Sequence, residues 1–251
     1  MGISPVDSVK LGLITESFGL SSSALAFLSF GLVDLVLAKR ALKGAIPFVL
    51  VGVLFVFIVP KSVLYILIAV LLLTAVFLIQ YKHRIKQARK REEGSENIHL
   101  RTEHGERGEQ VSVVSNGQEY KYYRTKSGAK KRFLGYGIGG MFQGASGFGI
   151  GELGIISMIL TNIPIRIAIG TSHFIVAGTA IIASIVHLVL SSSLSTEAFM
   201  WNIPAMTVPA VILGGQFAPY VAAKLSTKYL ERFVSLLFVI IAGALVLLAF
   251  I

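Results

Sequence analysis

Seven apolar segments, most of them close to the length that crosses a bilayer, set the frame within which this chain folds. Five read as spans, at about 9–37, 42–60, 62–81, 166–190 and 230–251, and a sixth, at about 199–222, is interrupted by Pro204, Pro209 and Pro219. A hydrocarbon core about 30 Å thick calls for roughly 20 apolar residues in a helix, and inside it each backbone polar group needs an internal partner. The expectation is therefore an all-α polytopic membrane protein. With 54% hydrophobic and 14% charged residues in 251, the chain also lies outside the range of soluble globular domains. Met1–Leu11 has Asp7 and Lys10 but no short apolar core before a cleavage site, so the spans themselves direct insertion. The absence of cysteine excludes disulfides, thiolate ligands and thiol catalysis.

The net charge of +10 invites a nucleic-acid reading, but its placement argues otherwise. Of 23 Lys and Arg residues, 14 fall between Lys82 and Arg132, in clusters such as Arg89-Lys90-Arg91 and Lys130-Lys131-Arg132 that border spans. Such clusters anchor cytoplasmic loops. The hydrophilic stretch 82–132 thus separates a first membrane half, 1–81, from a second, 133–251. Within it, Gln110–Val114 and Glu119–Tyr123 alternate around Ser115-Asn116-Gly117-Gln118, which predicts a small β-hairpin on an Asn-Gly turn. The polar stretch 92–109 reads as solvated linker.

Loop charges decide the topology. If 82–132 is cytoplasmic, Lys39, Arg40 and Lys43 are cytoplasmic too, as the positive-inside rule requires. A single crossing by 133–160 would then put the positive-free loop Ser191–Ala198 inside and Lys224, Lys228 and Arg232 outside, both backwards. A re-entrant helical hairpin over 133–160, entering and leaving on the cytoplasmic side, removes the contradiction. Its turn would lie near mid-bilayer, where irregular backbone is tolerated when buried in protein or lining a cavity. The two three-span halves then become inverted, with Pro5 and Pro164 at matching starts and Pro47/Gly52 paralleling Pro209/Gly214. Inverted repeats are a recurrent plan of secondary transporters, with substrate at the repeat interface.

The hairpin also carries the chemistry. Nine of the twenty residues from Gly135 to Gly154 are glycine; glycine lets backbone approach a ligand, and amides at a broken helix start attract anions. Small-residue packing explains the same glycines, and both roles can coexist. Glu152 within the hairpin and Glu16 in the first span each cost about 2.5–3.5 kcal/mol if charged at mid-bilayer, so each calls for a cavity, a partner or a proton. Thr171-Ser172-His173 opens the next span, with Thr15 and Glu16 in a comparable place in the first half. His187 lies fourteen residues beyond His173 and reads as structural. Ser21-Ser22-Ser23 reads as small polar packing. No paired-carboxylate, metal-ligand, phosphate-loop or dinucleotide motif occurs.

The run Gly-x-x-x-Gly-x-x-Gly-x-Gly-x-Gly-Glu over Gly140–Glu152, followed by Asn162-Ile-Pro164 and Ala168-x-Gly-Thr-Ser172, resembles the sulfite exporter TauE/SafE family. The likeness covers most of 133–250, and over 1–81 it is mainly hydropathic. It implies efflux or uptake of sulfite, an organosulfonate or a related small oxyanion across the cytoplasmic membrane. It carries over Gly144, Gly147, Gly149, Gly151, Thr171 and Ser172 as the matching motif residues, and these with Gln143 and Ser146 beside them are the candidate substrate site. Glu16, Glu152 and His173 are the candidates for proton coupling or the substrate path. Glu152 departs from the glycine common at that place in the family. Family members open each half with a Gly-rich segment, whereas Met1–Pro5 here aligns with Thr161–Pro164, after that segment. The expectation is a start upstream of Met1, or a site completed by the second subunit of a homodimer.

Two other readings fit parts of the sequence. Gly144-Ala-Ser146-Gly147 has a Gly-x-Ser-Gly pattern, and His173 or His187 could supply the base of an intramembrane serine protease. A non-catalytic membrane scaffold is the other. The reading carried forward is a multi-pass cell-membrane transporter with loop 82–132 cytoplasmic. It has a small oxyanion and the lipid bilayer as partners, and no nucleic acid, cofactor, metal or catalytic residue.

Overall fold

The computed structural model describes residues 5–60, 109–115, 118–147, 149–194, 200–224 and 227–250, with helical residues at intervals between 62 and 81. Helix α1 runs over Pro5–Ser29 and α2 over Leu35–Ile58; a hairpin of β1 (Glu109–Ser115) and β2 (Gln118–Arg124) follows. Then come α3 (Lys126–Ser146), α4 (Ile150–Leu160), α5 (Ile165–Leu194), α6 (Asn202–Lys224) and α7 (Thr227–Ala249). The described residues are thus mostly helical, with one small antiparallel sheet. Among them three helices are long and apolar enough to cross a membrane: Val6–Ser29, Leu35–Ile58 and Arg166–Ser191.

The first boundary differs from the 9–37 span expected. Gly31 takes a left-handed φ of 68°, and the Asp34 side chain accepts from Leu37 N as the N-cap of α2. A carboxylate that can cap a helix start outweighs the apolar continuity of Leu32-Val33. Lys39, Arg40 and Lys43 consequently ride on the first turns of α2 rather than on a loop. In the Gly-rich segment, Thr125 caps α3 by accepting from Gly128 N, so that helix starts at Lys126, before the expected 133. Helix α6 continues through Pro204, Pro209 and Pro219 without unwinding.

The sheet pairs Glu109 with Arg124 through Ser115 with Gln118, the register that the Asn116-Gly117 signal implied. Those two turn residues, the stretch 92–108 and positions 195–199 of the loop expected outside lie beyond the described residues. The sheet is docked rather than loose. Val111, Val113 and Tyr120 pack on the main apolar cluster, and Tyr122 is fully buried in it with Leu37, Ala41, Tyr136, Ile163 and Ile167.

Packing directions follow from the contacts. Helix α1 lies antiparallel to α5, joined by Lys10 Nζ donating to Ser191 Oγ at 2.5 Å and by Ser23 Oγ with His173 Nδ1 at 2.8 Å. It lies parallel to α6, where Thr15 and Thr207 hydroxyls meet at 3.0 Å and Ser22 Oγ donates to Ile212 O at 2.8 Å. Helix α2 runs parallel to α3 and to α5. At α2–α3 main chain meets main chain: a Cβ on Gly52 would fall 2.0 Å from Met141 O, and one on Gly144 2.1 Å from Val49 O. Phe238 and Leu245 of α7 pack with Ala69 and Leu72.

Candidate functional site

Helices α3 and α4 fold back on each other at Gly147 and Gly149, whose φ values of 81° and 124° a side chain would disfavour. At the base of this hairpin, Arg132 Nη1 donates to Thr161 Oγ1 at 2.8 Å. At its tip, Gly147 faces Leu13, eight residues into α1, or about 12 Å of helix axis from its start. Beside the tip, His187 Nε2 bonds Gly144 O at 3.0 Å. Two residues before the turn, Ala145 packs with Val56 and Val6.

Around this turn the chain gathers acidic and amide groups inside an apolar bundle. Gln143 Nε2 donates to Glu16 Oε2, and Glu152, in the first turn of α4, lies close enough to Glu16 for their charges to interact. Gln143 is fully buried, and its Oε1 has no partner among the described residues. No side chain caps α4, so its leading amides, beside Gly149, form an end of positive potential. Gln143 thus gives the Glu16 carboxyl a hydrogen-bonding partner inside the apolar bundle.

Of the residues singled out from sequence, Glu16, Gln143, Gly147, Gly149 and Glu152 come together here. Gly151 is adjacent, its carbonyl accepting from Ser172 Oγ at 3.1 Å. Gly144 is pressed against α2. Thr171 lies elsewhere: its Oγ1 accepts from Asp34 N at 2.9 Å. His173 pairs with Ser23 and meets Phe27 edge-on, ring centroids 5.0 Å apart. Ser146 Oγ donates back to Phe142 O at 2.9 Å. Ser23 was read as packing, and its hydroxyl also bonds a half-buried histidine.

Sequence reading missed a second cluster. Asp34 Oδ2 accepts from Tyr122 OH at 2.6 Å and from Arg124 Nε at 2.8 Å; Oδ1 accepts from Arg124 Nη2 at 2.6 Å and Leu37 N at 2.9 Å. Burial alone would raise the Asp34 pKa, but the hydrogen bonds from Arg124, Tyr122 and Leu37 outweigh it and hold it below the ordinary value. Burial and the Asp34 carboxylate push the Tyr122 phenol upward. Glu109 adds a bond to Arg124 Nη1 at 3.1 Å. This clamp ties the β-hairpin to the α1–α2 turn and, through Thr171, to α5. A lone Asp between two apolar runs was the available signal; its partners, 88 and 90 residues away, gave none.

Among the described residues no group of three or more His, Cys, Asp or Glu is placed to hold a metal. A family model described as Sulfite exporter TauE/SafE matches residues 1–245. No curated protein matches the chain, and no solved structure does.

Proposed function

The chain belongs to the sulfite exporter TauE/SafE family, and on that premise we propose that it carries sulfite, an organosulfonate or a related small oxyanion across the cytoplasmic membrane by alternating access. The family consists of membrane transporters, and the long apolar helices are those of a membrane protein. In this reading the halves 1–81 and 133–251 are inverted, loop 82–132 is cytoplasmic, and α3–α4 is re-entrant from that side. The parallel α1–α6 and α2–α5 pairs support the inversion, because a two-fold axis in the membrane plane would exchange one pair for the other.

The observation that carries the proposal is the meeting of Glu16, Gln143 and Glu152 at the Gly147–Gly149 turn. The uncapped start of α4 and the Gln143 amide attract and orient the oxyanion. Gly147, Gly149 and Gly151 give it access to backbone, and Ser172 borders the site through Gly151. Ser146, Gly144 and Thr171 shape the frame. Two ionised carboxylates would repel such a substrate, so binding is coupled to protonation of Glu16 or Glu152, with His173 on the path. Export of radiolabelled sulfite from proteoliposomes tests this. Gln143→Leu should lower the rate about tenfold or more, and Glu16→Gln should remove its pH dependence. Unchanged export in both variants would sink the assignment.

A further inference from the structure

Beside the Asp34 clamp, α2, β2 and α3 surround a cavity of about 180 Å³ whose lining includes Leu37, Arg40, Ala41, Arg124, Arg132 and Tyr136. Three guanidinium groups converge on it, and their partners differ. Arg124 is matched by Asp34 and Glu109. Arg132 is buried and bonds to a neutral hydroxyl, Thr161 Oγ1. Arg40 is exposed, and among the described residues it has no carboxylate partner. The Tyr136 side chain is 2% exposed, and its hydroxyl has no hydrogen-bond partner among the described residues. A buried hydroxyl left unmatched is destabilising.

Size narrows the occupant. Drug-sized ligands take about 300–1,000 Å³, and one water's share is about 30 Å³, so the cavity suits one small polyoxygen anion with a few waters. Guanidinium groups match such oxygens in paired geometry. The place is also distinct from the interior site: Tyr136 precedes Gln143 by seven residues on α3, about 10 Å along the axis. The Tyr136 ring packs where a Cβ on Gly154 would approach its Cε1 to 2.8 Å, so it stands between the cavity and α4.

We propose that this cavity is a second anion site, in which Arg40 and Arg132 hold a tetrahedral oxyanion and the Tyr136 hydroxyl donates to it. The oxyanion is a free sulfur or phosphorus species or the phosphate of an anionic lipid. The full chain in phosphatidylcholine nanodiscs is titrated calorimetrically with inorganic sulfate and phosphate. A second arm measures phosphatidylglycerol retained by the chain in mixed nanodiscs by native mass spectrometry. Binding in the first arm identifies a soluble anion, and retention confined to the second identifies a headgroup. In either, Arg40→Gln, an exposed change that spares the fold, should weaken binding about tenfold, and Tyr136→Phe severalfold. Glu16→Gln should leave it unaltered, separating this cavity from the interior site. Absence of binding in both arms, or binding that Arg40→Gln and Tyr136→Phe leave within twofold of wild type, overturns the proposal.

Discussion

Asp34 shows how much one side chain can organise. Its carboxylate takes four donors from two strand residues and its own helix, while its amide is bound by Thr171. Asp34→Asn keeps the shape but removes the charge and leaves Arg124 facing an amide. Because Arg124 keeps 10% exposure and a bond to Glu109, the loss should be about 2–3 kcal/mol, below the roughly 3–5 kcal/mol for breaking a fully buried pair. Denaturant or thermal unfolding of the detergent-solubilised chain measures it. The pH dependence has a definite sign. A carboxyl whose folded pKa is depressed stabilises fully above its unfolded value and loses that contribution as pH falls through the folded one. Docking of the hairpin should therefore be constant at neutral pH and weaken below about pH 4. Hydrogen exchange at Val111 and Tyr122 reads that loosening, and protection that falls instead on raising the pH from 5 to 8 would contradict it.

At the level of elements, the α2–α3 seam makes the sharpest demand. Gly52 and Gly144 interlock with Met141 O and Val49 O, and backbone cannot step aside as a rotamer can. Alanine at either position should cost about 1–3 kcal/mol or more through overpacking. At Gly214, the counterpart of Gly52 in the Pro-x-x-x-x-Gly pattern, nothing lies within 4 Å of an added Cβ. Gly214→Ala should be neutral or gain up to about 1 kcal/mol from helix propensity. Equal losses at Gly52 and Gly214 would refute the contrast. Sequence could announce that the Gly-rich run folds closely, because small residues at helical spacing mean close approach. It could not tell which glycines meet backbone and which make the turn, since Gly144 and Gly147 look alike until a partner helix is placed. The hairpin register, by contrast, was readable, because local alternation and an Asn-Gly turn fix it without distant partners.

Over the whole molecule, hydropathy revealed the membrane class, since it is a summed property that survives ignorance of contacts. The interior cluster was half legible: Glu16 and Glu152 stood out as carboxylates in apolar surroundings, whereas the Gln143 bond spans 127 positions and had no local trace. Topology remains open to direct measurement, and the cysteine-free sequence makes it convenient. Lys130→Cys and Arg166→Cys, at exposed positions on either side of the hairpin, should react with an impermeant maleimide from the same face as Lys39→Cys. Trp201→Cys should react from the opposite face. Labelling of positions 130 and 166 from opposite faces would mean that α3–α4 crosses the membrane once.

The backbone interlock of α2 with α3 has a mechanical corollary. Any rearrangement that opens the interior has to carry α2 and the hairpin as one block, because sliding them would drive carbonyl oxygens through main chain. The compliant boundary is then the one between α1 and the hairpin, where Glu16–Gln143 is a hydrogen bond between side chains, whereas α1 meets α6 main chain to main chain at Gly19 and Gly215. Such a bond can be handed over to water, so in the proposed transport cycle the block would turn against α1.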